Sequence, residues 1–285
     1  MSTRTKTNYK ICCPICSLSN KLEKFEWNQY DVIHCKNCDL DYCSEMIEKE
    51  VGGDSSPVHM EGINMMADVF FKTGDLANNY AKKRKKIYEQ ILGKKCINIL
   101  EIGCGPGVFY KSWETLKVNW TGIDINPYWK KFGEDNNIPI FNTSTESISK
   151  KFDVIMAHQV IEHVEDPLSF MKNIKLMLNP GGLIHLELPN QDSFTSKLRR
   201  ISSTISYDYG FIQPPMHLRA YRQKTIKYLF NNLDLEPKMV FTCSNNDRIW
   251  GQVRDYNFNQ KLIFTLAGKI GLGSLLIGLA QKINE

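Results

Sequence analysis

Residues 98 to 109 read Asn-Ile-Leu-Glu-Ile-Gly-Cys-Gly-Pro-Gly-Val-Phe, an apolar run that contains Glu101 and leads into three alternating glycines. The apolar run predicts a buried strand, and the glycines predict a tight turn whose backbone amides face a ligand at the next helix. The Gly-x-Gly-x-Gly pattern alone is a weak signal, because dinucleotide-binding folds use a related loop. The acidic residue before the glycines and the rest of the chain therefore decide which ligand is bound.

The chain around this segment alternates between helical stretches and short apolar strands, which predicts βαβ units on a parallel sheet. Its last two strands follow one another without a clear helix between them, so we expect an antiparallel hairpin at one edge. The seven predicted strands are Ile97–Ile102, Trp120–Asp124, Ile138–Phe141, Asp153–Ala157, Gly182–Leu188, Lys238–Cys243 and Leu275–Ala280. The expected fold class is α/β, with a Rossmann-like, mostly parallel seven-stranded sheet.

The N-terminal segment carries two Cys-x-x-Cys pairs, separated by two short alternating stretches, Lys24–Trp27 and Tyr30–Ile33. Each pair can wrap one edge of a tetrahedral ion while the stretches between them form a hairpin. We therefore predict a small zinc ribbon over residues 1–50 with a structural Zn²⁺ ion; four unrelated buried cysteines are the alternative. The predicted ligands are Cys13, Cys16, Cys35 and Cys38, and their neighbours Cys12, Cys43 and His34 are interpreted as non-ligands.

The composition, 285 residues of which 42% are hydrophobic, suits one full-sized domain and a small appendage. Turn-forming residues collect at 52–57, so we place a linker at residues 51–75 and the larger domain at 76–285. The formal net charge of +5 is low for a dedicated nucleic-acid binder, and the ribbon lacks a clustered basic face. Nucleic-acid partners are therefore not expected.

The sequence predicts a cytoplasmic protein. Met1–Lys10 is polar and basic and no apolar segment follows it, which is unlike a signal peptide. Leu262–Ala280 is the most apolar stretch, yet Lys269 and several glycines interrupt it, so we expect no transmembrane helix.

Further motifs follow the glycine segment: Gly122-Ile-Asp-Ile125, Phe152-Asp-Val-Ile155, Val160–Pro167 and Asn179–Gly182. With them the chain resembles class I S-adenosylmethionine-dependent methyltransferases. The branch it resembles includes the ubiquinone-biosynthesis O-methyltransferases and many bacterial sugar and secondary-metabolite methyltransferases. The N-terminal cysteine ribbon is similar to that of a bacterial subgroup, which often has glycine where this chain has Ser17 and Asp39 after the cysteine pairs.

The resemblance implies where S-adenosylmethionine binds. Asp124, at the end of the second strand, is placed to accept hydrogen bonds from both ribose hydroxyls. The backbone around Gly103, Cys104 and Gly105 would line the methionine moiety. The other implied cofactor contacts are Tyr80, Glu101, Ile125, Ser144, Thr145 and His158.

Arg84 is a further candidate for the cofactor site. It falls in the apolar stripe of a predicted helix, Leu76–Leu92, whose other basic residues point away. A buried-side arginine needs an anionic partner, and two are open from the sequence: the cofactor carboxylate, paired bidentately, or a structural salt bridge.

Candidate catalytic groups on the acceptor side are Glu162, His163 and His217. The two histidines are candidate bases because imidazole suits base chemistry near neutral pH. We expect Glu162 and His163 at the start of the helix after the fourth strand. Each histidine has an alternative role: His163 can cap or pack against that helix, and His217 can hold a lid loop. The metal-dependent ubiquinone enzymes carry Glu-x-x-Glu-His here, whereas this chain begins with Gln159, which disfavours a second metal ion.

An insertion at about residues 190–220 separates the fifth strand from a predicted helix, Thr225–Asn231, and we expect it to cover the acceptor pocket. Its arginine and tyrosine content suits a polar or phosphorylated small molecule. The residues concerned are Arg199, Arg200, Tyr207 and Tyr209.

The expected function is methyl transfer to an oxygen or nitrogen of a small-molecule acceptor, such as a sugar nucleotide, a capsule precursor or a secondary metabolite. Two alternatives stay open. One is an RNA methyltransferase that grips its substrate with the ribbon, and the other is a non-catalytic module that keeps the cofactor fold. The intact motif of Glu101, Gly103, Gly105 and Asp124 argues against the second.

Overall fold

The computed structural model describes residues 12–28, 30–43, 67–68, 74–95, 97–214, 217–244, 247, 258–270 and 272–283. These residues form two sheets. The predicted linker at 51–75 lies mostly outside the described residues and stays a prediction. No helix among the described residues has the length and apolar character needed to cross a bilayer.

The smaller sheet contains the two predicted ribbon strands and two more. Three strands come from the N-terminal segment, and the fourth comes from the end of the insertion. In order across the sheet they are β1 (Leu22–Trp27), β2 (Tyr30–Cys35), β3 (Asp41–Cys43) and β9 (Arg219–Ala220). The N-terminal segment, residues 12–43, is called the ribbon below, and it shares its sheet with the larger domain.

The larger sheet contains all seven predicted strands, in the order β10-β11-β8-β7-β4-β5-β6. The five strands from β6 to β8 are parallel, and β11 runs antiparallel to both β8 and β10, as expected for the edge. The bounds are β4 (Asn98–Ile102), β5 (Asn119–Asp124), β6 (Ile140–Asn142), β7 (Phe152–His158), β8 (Leu178–Pro189), β10 (Leu235–Cys243) and β11 (Leu275–Lys282).

Helices cover both faces of this sheet. One face packs against α1, α2 and α3, and the other packs against α4, α6 and the buried cysteines of the ribbon. The helices are α1 (Gly74–Leu92), α2 (Tyr110–Thr115), α3 (Pro127–Asn136), α4 (Pro167–Leu176), α5 (Phe194–Arg199), α6 (Gln223–Asn232) and α7 (Phe258–Lys269). The ribbon therefore shares a hydrophobic core with the larger domain.

Two sequence expectations were wrong. Helix α7 lies between β10 and β11, where no helix was expected. The helix was not predicted because its apolar residues follow one another without a clear helical period. Leu262 and Leu266 on this helix are exposed. Glu162 and His163 lie in a 3-10 turn, Ile161–His163, and not at the start of a helix. The α-helix begins only at Pro167, because proline suits the first helical position and not the interior.

Candidate active site

The glycine loop after β4 has the backbone conformation that its sequence predicts. Gly103, Gly105 and Gly107 have φ of 64°, 51° and 69°, a left-handed region that glycine adopts without strain. A Cβ at Gly103 would lie 2.6 Å from Val160 Cγ2. The loop therefore lies directly against the segment that follows β7.

Asp124 ends β5, next to this loop, because β4 and β5 are parallel neighbours. Its Oδ2 accepts a hydrogen bond from the Gly105 N–H at 3.0 Å, and its Oδ1 accepts one from the Asn126 N–H at 2.9 Å. Burial raises the pKa of Asp124, and these two donors oppose the shift. Each carboxylate oxygen keeps a second lone pair, so the group retains the capacity to accept from ribose hydroxyls.

Glu101 is buried near the end of β4. Its Oε2 accepts a hydrogen bond from Trp120 Nε1 at 2.8 Å, and its Oε1 lies 3.9 Å from His158 Nδ1. Burial raises the pKa of Glu101 to about 7, against the lowering effect of the Trp120 bond. The motif carboxylate is thus positioned by its neighbouring strands, and His158 is brought to it from the end of β7.

Arg84 forms a salt bridge within the protein, which was one of the two alternatives expected from the sequence. Its Nη2 lies 3.2 Å from Glu187 Oε2, and its guanidinium carbon lies 5.0 Å from the ring centre of Phe109. Both charged side chains are buried, and burial raises the pKa of Glu187 to about 7. A contact between Arg84 and the cofactor carboxylate stays a prediction.

Two polar residues of β8, His185 and Glu187, were missed by the sequence analysis. His185 Nδ1 lies 2.7 Å from the Tyr88 hydroxyl and 3.2 Å from His158 Nε2. The available signal was their spacing: polar residues two apart on an apolar strand point to the same face of the sheet. They extend a buried polar chain from Arg84 towards the end of β7.

The remaining predicted cofactor residues lie in the same half of the larger domain. Tyr80 is buried with its ring centre 6.0 Å from the guanidinium carbon of Arg84, and Cys104 is buried in the glycine loop. Ile125 is 71% exposed directly after β5. Beyond β6, Ser144 is exposed and Thr145 is buried. Because β4, β5 and β6 are parallel neighbours, their carboxyl ends share one edge of the sheet.

The three predicted catalytic residues come together from distant parts of the chain. The rings of His163 and His217 pack edge to face with centroids 4.6 Å apart. One ligand atom from each of Glu162, His163 and His217 lies within 4.8 Å of the others. These three side chains are also suitable ligands for a metal ion. A metal ion at this position would not need a carboxylate at residue 159, which is glutamine in this chain.

Glu162 is 2% exposed, and neither oxygen of its carboxyl group has a hydrogen-bond partner within the described residues. Burial raises the pKa of Glu162 to about 8, so the carboxyl group is protonated at neutral pH and ionises just above it. A buried carboxyl group without an internal partner is costly unless a ligand or a reacting group uses it. The cluster is therefore suited to proton transfer with a bound acceptor.

The four ribbon cysteines form a compact cluster. Cys13 Sγ lies 3.4 Å from Cys38 Sγ, Cys16 Sγ lies 3.5 Å from Cys35 Sγ, and all four sulfur atoms lie within 4.8 Å of one another. Tetrahedral Zn–S bonds of about 2.3 Å place sulfur atoms roughly 3.8 Å apart. The donor set and its dimensions fit a zinc ion.

The turns after both cysteine pairs form without glycine. Ser17 and Asp39 have φ of 59° and 67°. Their N–H groups donate to the carbonyls of Cys13 at 2.9 Å and Cys35 at 2.7 Å, which closes each turn around a pair. Asp tolerates the left-handed region more readily than most residues, and here serine adopts it as well.

The insertion arginines contact their own segment. Arg199 Nη1 donates to the Gly210 carbonyl at 3.3 Å, and Arg200 Nη2 donates to the Gln191 carbonyl at 2.9 Å. The Tyr209 ring packs edge to face against Trp27 of the ribbon at 5.0 Å. These side chains hold the insertion in place, so their expected role in binding phosphate stays a prediction.

A family profile described as a methyltransferase domain matches residues 74–238, more than half of the chain. The chain therefore belongs to the methyltransferase-domain family. Its fold is that of the class I S-adenosylmethionine-dependent methyltransferases, as the sequence predicted.

Curated relatives include two ubiquinone biosynthesis O-methyltransferases. The one from Actinobacillus pleuropneumoniae serotype 7 is 30% identical over 115 residues, 35% of this chain and 48% of the relative. The one from Cereibacter sphaeroides (strain ATCC 17029) is 27% identical over 172 residues, 55% of this chain and 56% of the relative. The chain thus spans about half the length of the curated relatives it matches.

Among solved structures, the plantazolicin methyltransferase BpumL in complex with SAH has a similar fold. The TM-score is 0.56 at 21% identity, over 81% of this chain and 92% of that one. A SAM-dependent methyltransferase from Archaeoglobus fulgidus has a TM-score of 0.51 at 20% identity, over 72% and 94%. At these identities the likeness establishes the fold.

Proposed function

We propose that this chain transfers the methyl group of S-adenosylmethionine to an oxygen or nitrogen of a small polar acceptor. The observation that carries the proposal is the contact of the glycine loop with Val160, two residues before Glu162. Val160 leads into the turn that carries Glu162 and His163, which supports a cofactor loop next to the proposed acceptor cluster. The names of the curated relatives support methyl transfer, and SAH in the BpumL structure supports the cofactor class.

On the cofactor side, the proposal gives each residue a role that its position supports. The carboxylate of Asp124 accepts hydrogen bonds from the ribose hydroxyls. The backbone of the left-handed loop at Gly103 and Gly105 lines the methionine portion. Glu101 is held by Trp120 and contributes negative charge near the cationic sulfur. Arg84 pairs with the cofactor carboxylate or with Glu187, and binding can shift it between the two anions.

S-adenosylmethionine supplies a methyl group that is already activated by the positively charged sulfur. The acceptor lone pair forms the new bond to the methyl carbon as the carbon–sulfur bond breaks, and that electron pair stays on sulfur. The enzyme therefore chiefly orients the acceptor in line, and for an acceptor that carries a proton it supplies a base. His163 or His217 accepts that proton. Glu162 beside them orients the ring, and its carboxylate form, which predominates above about pH 8, can accept the proton from the histidine.

Four thiolates, from Cys13, Cys16, Cys35 and Cys38, hold one structural zinc ion in this proposal. The closed set of four protein ligands leaves no position for substrate, which is typical of a structural site. The zinc ion stabilises a segment too small to bury a large core of its own. In this proposal the insertion covers the acceptor.

A turnover screen tests the proposal. The full chain is incubated with S-adenosylmethionine and panels of sugar nucleotides, phosphorylated metabolites and phenolic secondary metabolites, and SAH formation is measured. We expect acceptor-dependent SAH with at least one small-molecule class, and less with an Asp124→Ala variant when S-adenosylmethionine is kept near the Kd of the parent.

An RNA panel and an electrophoretic shift at physiological salt form the contrasting arm. SAH formation with RNA alone would contradict a small acceptor while leaving methyl transfer intact. Absence of S-adenosylmethionine binding by calorimetry would contradict the proposed function altogether.

A further inference from the structure

The strand that carries His217 into the acceptor cluster belongs to the ribbon sheet. β9 pairs antiparallel with β3, and the N–H of Cys43 donates to the Leu218 carbonyl at 2.9 Å. His217 comes directly before this pairing. His163 lies instead on the turn that leaves β7 of the larger sheet, so the two facing rings are held by different sheets.

A single buried guanidinium group joins the ribbon to both ends of the insertion. Arg222, two residues after β9 and 7% exposed, donates from Nη2 to Asp41 Oδ2 at 2.7 Å and from Nη1 to the Asp39 carbonyl at 2.8 Å. Its Nε donates to Asp192 Oδ1 at 3.1 Å. Asp39 belongs to the turn that follows the predicted zinc ligand Cys38.

Asp41, the central acceptor of this junction, is fully buried. Besides Arg222 it receives a hydrogen bond from Gln191 Nε2 at 2.9 Å, and its Oδ1 lies 2.7 Å from His34 Nδ1. Buried ion pairs hold their geometry tightly, because either charge without the other would be strongly destabilising there. The start of the insertion, the cysteine turn and the end of β9 are therefore fixed relative to one another.

The hairpin of the ribbon closes the other side of the insertion. Trp27 Nε1 donates to the Tyr207 carbonyl at 3.0 Å, and the Tyr30 hydroxyl donates to the Ile212 carbonyl at 3.2 Å. The Tyr209 N–H donates back to the Tyr30 oxygen at 2.8 Å. The ribbon thus holds the insertion at its start, middle and end.

The cofactor side has a separate set of contacts. The hydrogen bonds of Glu101 and Asp124 go to Trp120, Gly105 and Asn126, all within the larger domain. The ribbon therefore has a hydrogen-bonded connection to the strand that follows His217, whereas it shares apolar core packing with the strands that carry these two carboxylates.

We propose that Arg222 is a positioning residue for the acceptor half of the site. It couples the zinc-binding turn at Asp39 and Asp41 to His217, so that zinc occupancy sets the geometry of the histidine pair and leaves the cofactor half unchanged. The inference rests on the proposed function, because it assigns the histidine pair to the acceptor.

The test compares Arg222→Met with the parent protein and with Lys227→Met, an exposed lysine on the same helix region. Four quantities are measured on the full chain: zinc per chain, SAH affinity, hydrogen exchange of residues 217–222, and the nuclear Overhauser contact between the rings of His163 and His217. The ring signals are assigned with the single variants His163→Gln and His217→Gln.

We expect Arg222→Met to retain zinc and to bind SAH within about threefold of the parent. The contact between the histidine rings should be lost, and exchange at 217–222 should rise at least tenfold. Removing zinc from the parent with a chelator should give the same two changes, while Lys227→Met should give neither. The ring contact is a signature that a general loss of stability would not change selectively.

An intact ring contact in folded Arg222→Met, or a fall in SAH affinity parallel to its loss, would overturn the proposal. If Arg222→Met does not fold, Arg222→Lys decides, because it keeps the positive charge and removes the guanidinium fork that joins Asp39, Asp41 and Asp192. An unchanged ring contact and unchanged exchange in that variant would also overturn it. None of these readouts needs turnover, so their failure leaves methyl transfer standing, and absent turnover leaves this coupling testable.

Discussion

The cofactor side of the proposed site takes its carboxylates and its glycine loop from one short stretch, residues 101–124, whereas the acceptor side joins His163 to His217 from a distant part of the chain. The first set lies on neighbouring strands of one sheet. The second is formed where the ribbon sheet meets the larger domain. The carboxylates and the glycine loop are therefore held within the larger domain, whereas the histidine pair also depends on the ribbon, so we expect changes in the ribbon to affect the histidine pair more strongly.

The largest effect is expected where the ribbon is destroyed. In Cys35→Ser, zinc should fall from one ion per chain to none, because the variant keeps only three of the four thiolate ligands of a closed structural site. Residues 12–43 should become sensitive to protease, and acceptor turnover should disappear while SAH still binds. Metal analysis and limited proteolysis check this, with the exposed Cys12→Ser as the matched control. Retained zinc in Cys35→Ser would contradict the four-cysteine assignment.

The acceptor half is tested more narrowly through its histidines. If His163 is the base, His163→Ala should lower turnover about 10²- to 10⁴-fold with cofactor affinity nearly unchanged, because general-base catalysis acts on the transition state. If His217 is the base, the same loss should follow His217→Ala, and His163→Ala should be mild. Steady-state kinetics and calorimetry separate these outcomes. Turnover within about threefold of the parent in both variants would remove both histidines from the chemistry.

Asp124→Ala should lower the affinity for the cofactor, which the histidine variants should leave nearly unchanged. Losing a hydrogen bond to a charged group costs about 1.5–3 kcal/mol, which corresponds to roughly a 10- to 150-fold weaker Kd for S-adenosylmethionine. The ring contact of His163 with His217 should persist. Calorimetry checks the affinity, and Asp135→Ala, an exposed position on α3, serves as the control. An unchanged Kd in Asp124→Ala would contradict the ribose assignment.

The smallest expected effect is a change in pH dependence. Because burial raises the pKa of Glu162 to about 8, its carboxylate form, which can accept a proton, predominates only above that pH. If that carboxylate takes the acceptor proton onward, turnover should rise as the pH increases through about 8. Glu162→Gln should flatten this rise, and the exposed Glu165→Gln should keep it. A rise that survives in Glu162→Gln would assign it to another group.

Much of the fold could be predicted because its signals are local. Each of the seven predicted strands overlaps an observed strand, since short apolar runs between helical stretches identify buried parallel strands without reference to tertiary contacts. Helix α7 escaped prediction because consecutive apolar residues have no period to detect. The turn at Ile161–His163 escaped because a motif typical of a helix start does not by itself show where the α-helix begins.

The residues that join the ribbon to the larger domain had no local sequence signal. Asp41 and Arg222 are ordinary charged residues in the sequence, and the pairing of β3 with the two-residue strand β9 depends on a docked ribbon. Likewise, Arg84 was recognised as a buried cation, yet its partner Glu187 lies on β8 and only packing brings the two together. Contacts between distant segments are set by shape and burial, which single-residue patterns do not encode.

The left-handed glycine loop, the position of Asp124 at a strand end and the cysteine turns could all be predicted locally, because contiguous residues specify their backbone geometry. The packing of His163 against His217, and the small sheet that joins the ribbon to β9, could not be predicted in this way. The pairing of β9 with β3 and the buried Arg222–Asp41 ion pair form only when segments far apart in the chain pack together.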